Sequence, residues 1–302
     1  MHTIFSNFNK ILQVLREILD TNAALFNKQV KPGPKTKFSD IEVIALACTA
    51  ECMGYDSENH FFSLLNKSDF PNLLSRRQFN DRRSRLKDQL EKVRNLVISK
   101  ITTEKKAYVI DSMPLKLCRY SRRNRNKIGI HDEIKPNVGF CAAQEEHYFG
   151  YKLHAVCSFE GAVQFFDVTA ASFADVNYLD TVSKKLFNCH LIADKGYISQ
   201  SWKDTLREEA KVHLFTDSRS NAKKLTMIPI AYKGKRKKIE TIFSQLTDQF
   251  NIQKNYAKTS CGYLTRIWSK ILSMTILNYV NQHVNNKPLS QLKYALNSYY
   301  LP

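Results

Sequence analysis

The chain changes texture at residue 106, and that change limits what it can fold into. Ahead of it, apolar residues recur at helical spacing. Ile4, Phe8, Ile11, Leu12, Leu15, Ile18 and Leu19 trace one face of an opening helix. "KPGPKTK" breaks it. "SDIEVIALACTAEC" starts a second helix at Ser39, with Glu42 three residues on, the pattern of a capping box. A third helix spans about 59–65. A fourth and longest, "SRRQFNDRRSRLKDQLEKVRNLVISKI", starts at Ser75. Beyond 106 the segments read as strands: 107–111 continuing to 118, "YFGYKLHAVCSF", and "AVQFFDVTAA". Glu160-Gly161 between the last two is a hairpin signal. Helices near 175–186 and 199–210 then alternate with strands ending at Asp194 and in "KVHLF". A basic loop over 216–238, the helix "KKIETIFSQLTDQF" and the long helix "GYLTRIWSKILSMTILNYVNQ" follow. Three antiparallel strands and then strand–helix alternation predict a mixed α/β sheet behind an all-α front.

Charge narrows the partner. The 302 residues carry 46 Lys and Arg against 28 Asp and Glu, a formal +18. Such a surplus favours a polyanion, because Lys and Arg on phosphates release counterions. Nucleic acid leads; an anionic membrane is the weaker candidate, since no long basic amphipathic helix stands out. No run is apolar and long enough to span a bilayer, and no secretory signal opens the chain. Seven cysteines lie scattered without CxxC pairs, as reduced thiols do in a cytoplasmic protein. The fourth helix concentrates Arg76, Arg77, Arg82, Arg83, Arg85 and Lys87, with Asp81 the sole acid among them. A solvated face and a phosphate-contacting helix both fit this pattern.

Two apolar triplets end on a carboxylate: "YVI" on Asp111 and "LIA" on Asp194. Either aspartate alone reads as a turn or helix cap. Together they would stand at the rim of one sheet, where α/β folds place chemistry. Two anions brought together repel and lose hydration, so a cation must compensate. Oxygen-only ligands suit Mg²⁺ or Mn²⁺. A third carboxylate is available on the helix whose apolar stripe is Ile239, Phe243, Leu246 and Phe250. Glu240 borders that stripe. It either reaches over the rim toward the aspartates or pairs on the surface with Arg236 one turn earlier.

"IDSMPL", "FGYKLH", "LIADKGY", "DSRSNAKK" and "RKKIETIFSQL", in that order over 107–280, resemble the Asp-Asp-Glu transposases of bacterial insertion sequences, and among them insertion-sequence family 982. The resemblance implies a ribonuclease-H-like mixed five-stranded sheet flanked by helices, preceded by an all-α N-terminal domain. It implies a helical DNA-binding domain over 1–105, a catalytic domain over 106–286 and a C-terminal tail over 287–302. Asp111, Asp194 and Glu240 match the catalytic, metal-holding acids. Gly150, Lys152 and His154 match the second-strand motif, Arg219 and Asn221 a polar pair after the fifth strand, and Arg236 the arginine before the glutamate.

The activity implied by the resemblance is that of an enzyme using two Mg²⁺ or Mn²⁺ ions to cleave the element's ends and transfer the freed strands. Asp111 would bridge both ions, with Asp194 and Glu240 each holding one. Its partners are double-stranded DNA, as terminal inverted repeats and target, and a second copy as a homodimer on DNA, with no membrane. Expected DNA contacts are Arg76, Arg77, Arg82, Arg83, Lys152, His154, Arg219, Asn221, Lys235, Arg236 and Lys237. His154 has a second reading, the commoner one for a lone histidine: a strand residue satisfied by a neighbour. Two rivals remain: a metal-dependent nuclease of the same fold that cuts without joining, and a catalytically silent DNA-binding regulator.

Overall fold

The computed structural model describes residues 3–20, 36–218 and 227–296. The chain divides by packing into two units, 1–102 with 245–302 and 103–244.

The first unit is helical: α1 (Ile4–Asp20), α2 (Asp40–Cys52), α3 (Glu58–Ser63), α4 (Arg76–Arg85), α5 (Lys87–Lys100) and α9 (Ser260–His283). Ser39 closes the expected capping box with Glu42, and Ser75 closes a second with Gln78. The expected fourth helix is two. It breaks at Leu86, a buried residue at φ −92° and ψ 12° whose N–H is shared between the Arg82 and Arg83 carbonyls. Helix α2 is apolar on all sides and buried from Val43 to Glu51, as a central helix must be. It packs on α1 and on α9, and α9 also packs on α5. The division therefore differs from the expected boundaries at 105 and 286: α9 belongs with the front helices. The reason is chemical. Glu51 on α2 bonds both Arg266 and Lys270 of α9 inside the core, and separating them would leave buried charges unpaired.

The second unit is a sheet in the order β2-β3-β1-β5-β6, with β4 pairing β3 beside β2. Its strands are β1 (Ala107–Cys118), β2 (Asn137–Cys141), β3 (Glu146–Ser158), β4 (Val163–Ala170), β5 (Cys189–Ala193) and β6 (Val212–Thr216). β1 runs antiparallel to β3 and parallel to β5. β3 and β4 form the hairpin signalled by Glu160-Gly161, with Gly161 at φ 100°. Helices α6 (Leu179–Lys185) and α7 (Gln200–Ala210) supply crossovers, and α8 (Lys237–Asp248) carries the division between units within it. Leu179, Val182 and Leu206 of these crossovers bury against Ile110, Leu191 and Leu214 of the strands. This is the ribonuclease-H-like arrangement expected, with β2 as a strand beyond the expected five.

Candidate active site

Ile110 lies level with Ala193 in the parallel β1–β5 pair, so Asp111 and Asp194 follow at one level, where β5 ends and β1 runs on beside β3. The Asp111 Oδ1 accepts the Ser112 N–H at 2.8 Å. Burial pushes its carboxyl up to about 7. The Ser112 N–H opposes that rise, the negative charge of Asp194 adds to it, Arg236 opposes it, and Asp175 adds again. Asp194 opens a short turn, Lys195–Tyr197. Its Oδ1 accepts from Arg236 Nη1 at 2.5 Å, and Arg236 Nη2 reaches Glu240 Oε1 at 3.3 Å. Glu240 thus makes the surface pair with Arg236, whose other terminal nitrogen holds Asp194. The buried stripe beside it is Ile239, Ile242 and Leu246, with Phe243 only half-buried. Among the described residues no three such side chains converge closely enough to hold a metal ion. Arg236 stands between two of the three acids instead.

A fourth carboxylate escaped the sequence. Asp175 follows β4 in a short helical turn, where an aspartate reads as a cap. Its Oδ1 accepts from Ser112 Oγ at 2.8 Å and Lys152 Nζ at 3.1 Å. It also crowds Gly196, where an added Cβ would lie 3.1 Å from Oδ2. Asp175 thus joins β1, β3 and the turn after Asp194. The one available signal was three acids expected on the same rim with "ADV" following the third strand.

The expected DNA contacts separate into groups. His154 is fully buried, bonds Thr169 Oγ1 at 3.0 Å and stacks on Tyr178 at 4.5 Å. Burial pushes its imidazole down to about 4, against the pull of Asp175. Its Nε2 is engaged, while its Nδ1 is buried 3.9 Å from Asp175 Oδ1 without a hydrogen bond, so the ring presents no open face to phosphate. Lys152 is held by the Phe173 carbonyl at 2.8 Å as well as by Asp175. Lys235 and Lys237 are exposed beside Arg236. Arg219 and Asn221 lie outside the described residues. On α4, Arg83 is 2% exposed and paired with Glu58, and Arg82 pairs with Asp40 and the Phe38 carbonyl. Both guanidinium groups expected at DNA are thus engaged by segments distant in sequence, and Arg83 is too buried to reach it. Arg76 and Arg77 are exposed and line a cleft of about 620 Å³ with Lys258 and Tyr256.

Residues 101–259, just over half of the chain, match the family model described as Transposase DDE domain. No curated protein and no solved structure matches.

Proposed function

The chain belongs to the transposase DDE domain family, and we propose that it is an Asp-Asp-Glu transposase of a bacterial insertion sequence, of the family-982 type. It cuts DNA at the element's ends and joins the freed 3′ ends to target DNA. The observation that carries this reading is the shared level of Asp111 and Asp194, with Glu240 linked to it through Arg236.

In chemistry, though not in their present spacing, the donors suit a hard divalent cation. Three carboxylates supply oxygen alone, and Asp111 is raised by burial and by neighbouring anions, an imbalance that a cation relieves. Asp111, Asp194 and Glu240 would hold two Mg²⁺ or Mn²⁺ ions. When bound, the ions supply Lewis-acid activation of the attacking oxygen and stabilise the leaving one. Asp175 positions the site by holding Ser112 beside Asp111, and Lys152 neutralises Asp175. Exposed Lys235 and Lys237 are placed for backbone phosphates. In the first reaction water's oxygen bonds to phosphorus, the P–O3′ bond breaks, and a 3′ hydroxyl is released. In the second, that hydroxyl attacks a target phosphate and displaces the target's own 3′ oxygen. One site serves both because only the nucleophile changes. Arg76 and Arg77 are the front-end candidates for phosphate contact, and two copies on two ends make a homodimer. No helix among the described residues is long and apolar enough to cross a membrane.

The test incubates the protein with element-end DNA and Mg²⁺ and maps the 3′ ends. Defined nicks followed by joined products are expected. Nicks without joining would favour the nuclease reading, and no metal-dependent cleavage would leave only the silent regulator.

Arg236 makes a separate expectation. Its guanidinium occupies the acids that a cation would need. Arg236→Gln should therefore bind Mn²⁺ about two- to tenfold more tightly by calorimetry, the scale of a half-exposed ion pair. An unchanged affinity would show that the arginine yields the carboxylates at no cost.

A further inference from the structure

The run "KLCRYSRRNRNK", residues 116–127, holds six bases and no acid. It forms the end of β1 and the 3-10 turn Tyr120–Arg125. Lys116 is paired with Glu146. Among the described residues, no carboxylate pairs with Arg119, Arg122 or Arg125.

This run contacts the β2–β3 ribbon, whose two faces differ. The register sets Gly139 opposite Tyr148, and Val138 and Phe140 opposite Phe149 and His147. Directly opposed residues share a face. The Gly139–Tyr148 face is closed: Tyr148 is 3% exposed, and a Cβ on Gly139 would meet the Ala171 carbonyl oxygen at 2.6 Å. The other face is open, with Phe140 55% exposed. Tyr120 approaches this face from the turn, its ring 6.3 Å from His147, which lies 5.1 Å from Phe140. Arg123 covers Tyr120 at 4.3 Å and donates to the Tyr120 carbonyl, which fixes the stacked pair.

We propose that this aromatic and arginine platform binds an unpaired strand of nucleic acid. Bases stack on Tyr120, His147 and Phe140, and Arg119, Arg122 and Arg125 follow the phosphates. The inference rests on the reading of Asp111 and its partners as a DNA-cleaving site, and it names the form of substrate held next to that site. Phosphate binding alone would explain unpaired arginines, but not aromatic rings left in water among them. A duplex hides its base faces inside its own stack, so rings of this kind are useful only to bases that are out of it. Charge and aromatic surface together are the composition of single-strand sites. β1 connects platform and site: Lys116 stands five residues beyond Asp111, about 17 Å along an extended strand.

Three fluorescent probes test this on the full chain by anisotropy: a blunt duplex, the same duplex with a single-stranded deoxyadenosine tail, and one with an abasic tail of equal length. The deoxyadenosine tail should bind about tenfold more tightly than the abasic tail, because both carry the phosphates and only one carries bases. Tyr120→Ala combined with Phe140→Ala should erase that difference, and Tyr120→Trp should keep it. Equal affinity for the two tails, or a base preference that survives the double substitution, would overturn the inference. Blunt-duplex binding retained in those cases leaves the cleavage-site reading standing. No binding to any probe would overturn both. A fall in solution mass on double substitution, with the tail preference unmoved, would overturn it too and assign the ribbon to a contact between copies.

Discussion

Asp111→Asn is expected to abolish cleavage and, in metal-free protein at pH 8, to make the fold more stable. Asparagine keeps the shape and can still accept the Ser112 N–H, so what it removes is charge. In the folded chain burial first, and the neighbouring carboxylates of Asp194 and Asp175 after it, raise this carboxyl from an ordinary 3.8 to about 7. The unfolded chain gives up the proton near the ordinary value. As pH rises from about 4 to about 7, the unfolded state ionises while the folded state resists, so stability falls across that window and stays low above it. The interval between 3.8 and about 7 sets an upper bound of about 4 kcal/mol. The side chain is half-buried, and solvent screening reduces the effect to roughly 1–3 kcal/mol. That corresponds to a melting temperature higher by about 2–10 °C at pH 8, with no gain near pH 4. Calorimetry in chelator at both values measures it. Mg²⁺ should stabilise the native protein by binding only the folded state, and this shift should be largely lost in the variant. Cleavage should fall on the order of a thousandfold or more, as when a group acting in the transition state is lost. A variant no more stable than the parent at pH 8 would mean that Arg236 already neutralises the site.

The pair of aspartates was legible because each follows a buried apolar triplet. "YVI" and "LIA" are each three buried residues before a polar one, and the parallel register sets Ile110 level with Ala193, although β5 ends there and β1 runs on to Cys118. Glu240 was legible as a position but not as a direction, because periodicity places a side chain on a helix without saying what faces it. Asp175 was hidden, since its role depends on Ser112 and Lys152 arriving from two other strands. β2 was missed because "NVGFC" is five residues long with a glycine at its centre, too short for alternation to register. The partners of Arg82 and Arg83 on α4 were hidden for the same reason as those of Asp175. Counting only local acids left Arg82 and Arg83 unpaired, whereas Asp40 and Glu58 reach them from more than twenty residues away. Chain order likewise attached α9 to the sheet that precedes it, although the acid that its buried cations need lies on α2.

That acid carries the largest stability effect expected outside the site. Glu51 is 1% exposed. It accepts from Arg266 Nε at 3.2 Å and from Lys270 Nζ. Lys270 also donates to the Phe250 carbonyl at 2.6 Å, and Arg266 to the Asp56 carbonyl at 2.8 Å. Burial alone would raise the Glu51 carboxyl, but Lys270 and Arg266 more than offset it and hold it below its usual range. Glu51→Ala leaves two cations in the interior with only neutral carbonyls. Such a break costs about 3–5 kcal/mol, or about 10 °C in melting temperature. Adding Lys270→Met removes one stranded charge and should recover part of that loss. The sign of the pH dependence comes from the lowered carboxyl. Its stabilisation is present above the unfolded value and is lost as pH falls through the folded one, so the native protein should weaken in acid and Glu51→Ala should weaken less. A fragment ending near residue 105 keeps Glu51 and loses both cations, so it should fold poorly as an isolated DNA-binding module. An unchanged melting temperature in Glu51→Ala would show that the interior is hydrated around these charges, and the helical unit would then not depend on α9 for its integrity.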